Sequence, residues 1–424
     1  MPLRNAYTPP GDASLWESFL RRLEATIKVA RIHPATIQYL THPKRSVGVS
    51  LPVVMDDGGV RNFTAYRVIH NIARGPALGG VRYHPEVGLG QTCGMAAWMT
   101  LKSAVFGLPF GGSAGGVVVD PDRLSRRELE RVSRRYVTEL IELIGPDEDV
   151  LAPDVGTNET VMAWFQDTFA MTRGQTTLSA VTGKPTQLGG VAVKDEGGGQ
   201  GLVYMLSDLA QANGWPLEGA SVAIQGFGQV GSAVARYAVK EGLKVVAVST
   251  SQGGVYNPEG LDVAALEKHY AEHRHLEGFP GGKHLTNHEL LTLKVTYLVP
   301  AAVEGVINEH NAQQVAAQVV LEGANGAITP EAEYLLKLQG KYIVPDILAS
   351  GGGLVLSYLE WVQDLSMLFF EEGEVQQKLR EFIHQSLQAV LERAKPLQGD
   401  LRTSAYALAV ERINEASRLR GVYP

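Results

Sequence analysis

A single cysteine, Cys93, stands among 424 residues. One thiol excludes an internal disulfide framework and any cysteine-built zinc site, and it fits a reducing compartment. No stretch approaches the roughly 18 apolar residues that a membrane helix needs. The opening Met1-Pro2-Leu3-Arg4-Asn5 leads into no apolar signal-peptide core. The expected location is therefore the cytoplasm, with no membrane partner. Excess positive charge is also lacking. Lys and Arg number 38 against 45 Asp and Glu, a net charge of -7, so the basic footprint that nucleic acid requires is missing. Hydrophobic residues, at 45%, provide material for real cores and exclude a mostly disordered chain. The length corresponds to roughly two or three domains.

The patterning divides the chain into two regimes. Leu15, Trp16, Phe19, Leu20, Leu23 and Ile27 recur at helical spacing. Strand-like stretches at Val47 to Met55 and Phe63 to Ile69 flank Asp56-Asp57-Gly58-Gly59, a turn signal that predicts a hairpin. A helix is expected over Thr92 to Ala104, then a glycine-rich loop and a strand at Val117 to Asp120. Ser125 and Glu128 have the spacing of a capping box, with Leu129, Val132, Tyr136, Leu140 and Leu143 as the buried stripe of the helix it opens. The second regime begins near Gly189. A strand at Ser221 to Gln225, a helix at Ser232 to Glu241 and a strand at Lys244 to Val248 make a βαβ unit, which predicts a parallel sheet. Short apolar runs at Thr296 to Val299, Val319 to Leu321 and Tyr342 to Val344 alternate with helical segments. From Leu354 onward the chain reads as helices.

Gly226, Gly228 and Gly231 follow the first of those strands and open its helix. In that context they form a dinucleotide fingerprint, with glycines for the tight turn and for approach of a pyrophosphate to the helix N-terminus. The acid expected at the end of the next strand is replaced by Thr250. An enzyme using NADP can lack that acid. His269-Tyr270-Ala271-Glu272-His273 spells H-x-x-E-H, but it lies in the polar run Lys268 to His275 and reads as a solvated helix or loop. No metal is expected. Thr182-Gly183-Lys184 lacks the glycine of a phosphate loop, since Leu178 stands five residues before Gly183.

The first half holds a denser constellation. It comprises Arg74 to Pro85, then Met99-Thr100-Leu101-Lys102, then Pro109 to Gly116, then Ala152-Pro153-Asp154-Val155-Gly156-Thr157-Asn158. Two glycine-paired loops, a lysine and an aspartate suggest a lined cleft. Turns, a surface lysine and a helix cap are the alternative.

These strings resemble the hexameric glutamate dehydrogenases of the amino-acid dehydrogenase superfamily, over nearly the whole chain. Val181 to Pro185, Tyr256 to Leu261, Glu322 to Gly326, Pro345 to Ala349, Ser357-Tyr358 and Glu360-Trp361 extend the match. The resemblance implies a two-domain α/β architecture. A substrate and oligomerisation domain would span 1–188, with helices from about 355 to 424 packing back on it. A Rossmann-type nucleotide-binding domain would span 189–354.

The departures are the informative part. The family's first cleft loop carries a lysine for the substrate side-chain carboxylate, where this chain has Leu78. The second loop carries the catalytic lysine, where this chain has Ala114. The α-carboxylate lysine remains as Lys102, the proton-shuttling aspartate as Asp154 and a substrate-side serine as Ser357. On the nucleotide side, the family's A-T-G-R-G becomes Gly197-Gly198-Gly199-Gln200-Gly201. Ser350 replaces an asparagine, and Asn325 is kept. By resemblance the cofactor is NAD or NADP, its contacts eroded in this chain.

Oxidative deamination needs a cation beside Asp154 to activate water and stabilise developing charge, and Ala114 supplies none. The expectation is a catalytically impaired regulatory subunit, forming a hetero-oligomer with an intact catalytic homologue or a homohexamer. The alternatives are an active amino-acid dehydrogenase with altered substrate preference, where Leu78 accommodates an apolar side chain, and a stand-alone amino-acid sensor. Some family members respond to leucine near subunit contacts. By alignment, Arg135 and Asp167 match that site's cation and anion.

Overall fold

The computed structural model describes residues 3, 6–12, 14–30, 32–194 and 196–421. Met1, Pro2, Arg4 and Asn5, on which the leader reading rests, lie outside them. The chain divides into two units. One comprises Met1–Lys194, Val355–Gln376 and Tyr406–Pro424, the other Asp195–Leu354 and Gln377–Ala405.

In the first unit, Arg45–Val54 (β1) and Val60–Asn71 (β2) form the expected hairpin, in antiparallel register from Arg45↔Ile69 to Val54↔Val60. Ala77–His84 (β3), Gly112–Val118 (β4) and Asp149–Pro153 (β5) complete a 5-stranded sheet of order β1-β2-β4-β3-β5. The glycine-rich stretches expected as loops are therefore strands. Glycine has poor strand propensity, and here close approach overrides it. A Cβ at Gly79 would fall 1.7 Å from the Ser113 carbonyl oxygen. The expected helix over Thr92 to Ala104 runs Leu89–Val105, and Arg412 Nη1 donates to its last carbonyls, Ala104 O at 2.8 Å and Val105 O at 2.7 Å. The capping box closes in both directions, with Glu128 N to Ser125 Oγ at 3.1 Å and Ser125 N to Glu128 Oε2 at 2.9 Å. Val132, Tyr136 and Leu140 are buried in the core beneath the hairpin, while Leu129 and Leu143 pack partly buried against it.

In the second unit, Ser221–Gln225 (β6), Lys244–Thr250 (β7), Gly253–Tyr256 (β8), Lys283–Leu285 (β9), Tyr297–Pro300 (β10), Val319–Leu321 (β11) and Tyr342–Val344 (β12) form a 7-stranded sheet. Its order is β12-β11-β10-β6-β7-β8-β9. The first five in that order run parallel, as the βαβ reading predicts. The last two join antiparallel and are absent from the sequence reading.

By contacts, the first segment of the first unit runs to Lys194, and Gln377–Ala405 groups with the second unit. Leu379, Ile383, Leu387 and Val390 are buried there, and His384 Nδ1 meets Asp208 Oδ2 at 2.9 Å. Helical periodicity shows which face is apolar, not which core that face meets.

Candidate functional site

The sheet of the first unit is anchored from within by one ion pair. Arg67 donates from Nε to Asp149 Oδ2 at 2.7 Å and from Nη2 to Asp149 Oδ1 at 2.6 Å. It also reaches Ser113 Oγ at 2.8 Å and the carbonyls of Gly79 and Gly80 at 3.3 and 3.2 Å. Burial alone would lower the pKa of Arg67. Asp149 overrides it and holds the guanidinium above its ordinary value. Through Gly79, Gly80 and Ser113 this pair fixes β3 and β4, the strands that carry the two departures. Leu78 sits opposite Val150 and is fully buried. Ala114 sits opposite Val68 and is 1% exposed. Neither position offers a charge.

Lys102 lies on the Leu89–Val105 helix, 5% exposed. Asp154 follows β5. Arg82, on β3, donates from Nε to Asp154 Oδ1 at 3.0 Å, and Val155 N donates to the same oxygen at 2.6 Å. The sequence reading quoted Arg82 within a string but gave it no role. Its place four residues beyond Leu78 on the same strand was the available signal, since alternation puts both on one face.

Ser357, on the Gly352–Ser366 helix, heads a second polar cluster. Thr182 Oγ1 donates to Ser357 Oγ at 3.2 Å, and Lys194 Nζ donates to it at 2.5 Å. One turn further along the helix, Glu360 accepts from Gly183 N at 2.9 and 2.8 Å, from Lys184 N at 3.2 Å and from Lys184 Nζ at 2.8 Å. Lys184 Nζ also reaches Asp364 Oδ2 at 2.8 Å. Burial pushes the Asp364 carboxyl up to about 6, against the pull of Lys184. Thr182-Gly183-Lys184, discarded as a phosphate loop, thus braces the Ser357 helix. Lys184, Lys194 and Asp364 were missed by the sequence reading. Glu360 lies three residues after Ser357 and Asp364 four after Glu360, on one helical face, which was the legible signal.

In the second unit, Gly226 has φ 98 and leads β6 into the Gln229–Lys240 helix. A Cβ at Gly231 would fall 1.9 Å from the Gly226 carbonyl oxygen, whereas one at Gly228 would meet nothing within 4 Å. The first and third glycines build the turn and the second leaves room above the helix N-terminus, which fits a dinucleotide pyrophosphate. The flanking contacts are thinner. Thr250 Oγ1 is spent within its own turn, donating to Gly253 O at 3.2 Å. Ser350 Oγ donates back to Asp346 O at 2.7 Å. Gln200 is fully buried, and its Oε1 has no partner among the described residues. Asn325 lies in the loop after β11, where neighbouring Gly326 N donates to Asp346 Oδ2 at 2.7 Å.

Arg135 and Asp167 are not joined. Asp167 Oδ2 accepts from Arg134 Nη1 at 2.5 Å, while Arg135 Nη2 pairs with Glu139 Oε1 at 2.5 Å on its own helix. Adjacent helical residues are turned about 100° apart, so the two arginines serve different faces. His269 and His273 lie on the Val263–His273 helix with rings 4.4 Å apart. Among the described residues no group of three His, Cys, Asp or Glu could hold a metal, and no helix is long and apolar enough to cross a membrane.

Comparison with known proteins places this geometry. Residues 43–171 match the Glu/Leu/Phe/Val dehydrogenase dimerisation domain, and residues 189–421 match the glutamate/leucine/phenylalanine/valine dehydrogenase domain. A glutamate dehydrogenase of Thermotoga maritima is 46% identical over 97% of this chain and 100% of its own. An NADP-specific glutamate dehydrogenase of Synechocystis is 40% identical over 96% and 97%. The crystal structure of a hetero-hexameric glutamate dehydrogenase from Thermus thermophilus, in a leucine-bound form, superposes with a TM-score of 0.97. It is 53% identical and covers 99% of this chain and 100% of its own. Sequence, fold and domain content agree, and the chain belongs to the glutamate dehydrogenase family, within the glutamate/leucine/phenylalanine/valine dehydrogenases.

Proposed function

We propose that this chain is the regulatory, catalytically impaired subunit of a cytoplasmic glutamate dehydrogenase complex that responds to leucine. The observation that carries the reading is the pair Leu78 and Ala114, two buried apolar strand residues where the family places lysines. The reaction moves a hydride from the glutamate Cα and then adds water to the imine, giving 2-oxoglutarate and ammonia. When bound, NAD or NADP supplies the hydride acceptor. Gly226, Gly228 and Gly231 would hold its pyrophosphate, with Asn325, Thr250 and Ser350 beside it. Asp154 and Lys102 remain for proton transfer and for the α-carboxylate. Without a cation at position 114, developing negative charge is unstabilised, and loss of such a group costs about 10²- to 10⁴-fold in rate.

Intact folding with deleted chemistry suits a subunit that assembles with an active homologue. The hetero-hexameric neighbour supports this reading, as does the presence of a dimerisation domain. The assembly is a hexamer, mixed or of this chain alone, with no resident metal. Leu78 favours a second reading, an active dehydrogenase for an apolar amino acid, but Ala114 removes a group that serves any amino-acid substrate.

The test is steady-state turnover of the purified chain with glutamate and either nucleotide, repeated after co-expression with an intact homologue. Negligible turnover alone, with co-purification and leucine-stimulated turnover in the mixture, is the expected result. Turnover within tenfold of the roughly 10 s⁻¹ typical of enzymes would end the regulatory reading.

A further inference from the structure

The first unit has a cavity of about 910 Å³ between the Pro34–Leu40 helix and the chain that follows it, the end of β2 and the last turn of the Leu401–Arg420 helix. Its charged lining is of one sign. Lys44 and Arg420 border it, and among the described residues no Asp or Glu does. Arg420 Nη1 donates to the carbonyls of Ile72 and Ala73, at 2.6 and 3.0 Å, which holds the side chain in place without neutralising it. Lys44 is exposed and makes no ion pair with a described residue. A smaller cavity of about 300 Å³ shares Lys44 and Arg420 and is lined also by Asp147 and Glu148. Neither of those carboxylates pairs with either cation.

Two buried polar side chains line the larger cavity with groups left over. Asn71 is 6% exposed, and its Oδ1 accepts from Ala73 N at 2.8 Å. That bond fixes which end of the amide is oxygen, so Nδ2, a pure donor, is the end without a partner among the described residues. Ser417 is 8% exposed, and its hydroxyl also lacks a partner among them. Buried donors are rarely left unmade, and each such case calls for an occupant. His42 commits Nδ1 to Gln38 O at 3.1 Å and keeps Nε2 for the cavity it lines. The last helix ends here with its partial negative pole, which Arg418 and Arg420 in its final turn offset.

We propose that Lys44, Arg420, Asn71 and Ser417 form a binding site for a phosphate group, free or carried by a small metabolite. A phosphomonoester has a charge of about −1.5 to −2 at neutral pH and three acceptor oxygens. Two cations match that charge, and the amide and hydroxyl supply the further donors. A single carboxylate would answer one cation and leave the other. The cavity falls within the roughly 300–1,000 Å³ of small-molecule sites, which leaves room for an organic remainder beside the phosphate. A bound phosphate would tie the chain at Lys44, the end of β2 and the last helix to one another, three segments far apart in sequence. None of the four residues is assigned to substrate, nucleotide or leucine, so the inference stands apart from the regulatory reading.

Calorimetric titration of the purified full-length chain, at constant ionic strength, with glucose 6-phosphate, inorganic phosphate and glucose tests the assignment. Both phosphates should bind and glucose should not. Tighter binding of the sugar phosphate assigns the group to a metabolite, and equal binding assigns it to the free ion. Lys44→Gln, a change at an exposed position, should weaken both phosphates roughly 10- to 150-fold, the range for one charge-assisted hydrogen bond. Lys44→Arg should bind within a few-fold of the parent. Asn71→Asp keeps an acceptor for Ala73 N, turns a carboxylate to the cavity and should abolish binding. In thermal denaturation, phosphate should raise the midpoint of the parent and not that of Lys44→Gln, since a ligand of the folded state stabilises it. No phosphate binding by the parent, or affinity unchanged in Lys44→Gln, as expected for an anion held at the nucleotide turn instead, would each overturn the proposal.

Discussion

Arg82 holds Asp154: the guanidinium Nε lies 3.0 Å from the carboxylate Oδ1, and both side chains are largely buried. The carboxylate proposed to shuttle protons is thus oriented and paired, but paired to an arginine on its own sheet. Arginine stays protonated throughout the working range and cannot take or return a proton. The charge at this point organises the carboxylate and, on the proposed reading, does not move its proton.

Restoring the family's lysines will therefore not restore an enzyme. The double variant Leu78→Lys and Ala114→Lys should recover under about 1% of the typical 10 s⁻¹ turnover, because on the proposed reading Gln200, Thr250 and Ser350 leave the nucleotide contacts incomplete. It should also be less stable. Position 78 is fully buried and position 114 nearly so, and burying an unpartnered ammonium is costly. Turnover and urea denaturation measured on the same preparation check both halves. Turnover within tenfold of 10 s⁻¹ would show that the remaining departures are harmless.

Acid sensitivity should trace to His70. Its Nε2 meets Leu40 O at 3.0 Å and its Nδ1 meets Thr100 Oγ1 at 2.8 Å, with Trp16 and Phe19 packed edge-on. A carbonyl only accepts, so Nε2 carries the proton and Nδ1 accepts from the threonine. Burial pulls the ring down from 6.5 to about 4. The unfolded chain therefore binds this proton first as the pH falls. The stability that His70 contributes is present above pH 6.5, declines from there and is gone below about 4. The total is about 3 kcal/mol. Asp364 works in the opposite sense. Raised to about 6 by burial, it contributes below its ordinary value and loses that contribution as the pH rises through 6. Denaturation midpoints at pH 7 and pH 4.5 should converge for His70→Gln relative to the parent, and an undiminished difference would reassign the acid sensitivity.

The parts of this molecule written in local pattern are legible from sequence. Asp56 to Gly59 marks the hairpin, Ser125 and Glu128 mark a helix start, and Gly226 to Gly231 mark the nucleotide turn. All three depend on residues close together in the chain. The rest depends on what meets across the fold. The glycines of β3 and β4 read as loops because glycine disfavours strands, and only the close packing of Gly79 on Ser113 explains them. Arg67 lies 82 residues from Asp149, and Lys194 lies 163 residues from Ser357. No spacing rule connects such pairs. The proposed losses at Leu78 and Ala114 rest on the resemblance of the surrounding strings to a family in which lysines stand there.

The Arg67–Asp149 pair should be the most expensive polar contact in the first unit to break. Both side chains are 0% exposed. Asp149→Asn leaves a buried guanidinium without a counter-charge, which costs about 3–5 kcal/mol. Equilibrium unfolding in urea should show that loss, and a change below 1 kcal/mol would mean that Ser113 and the β3 carbonyls suffice to hold the arginine.

The effector assignment yields the sharpest comparison, because three charged neighbours now have different partners. Arg134 is engaged twice, by Asp167 and by Glu130. Among the described residues Arg135 makes one ion pair, the i,i+4 pair with Glu139, of a kind worth about 0.3–0.5 kcal/mol on a helix surface. A ligand carboxylate can draw Arg135 away at small cost, and a ligand ammonium can share Asp167 with Arg134. In a mixed complex with a catalytic homologue, Arg135→Ala and Asp167→Ala should each raise the leucine concentration for half-activation roughly 10- to 150-fold, the loss of one charge-assisted contact. The leucine-free rate of each complex is the reference. Arg134→Ala should have a smaller effect, since its role is to hold Asp167 in place. If Arg134→Ala abolishes the response and Arg135→Ala does not, the cation of the site is Arg134. If none of the three shifts the leucine curve, this helix face is a set of ordinary surface ion pairs and leucine acts elsewhere.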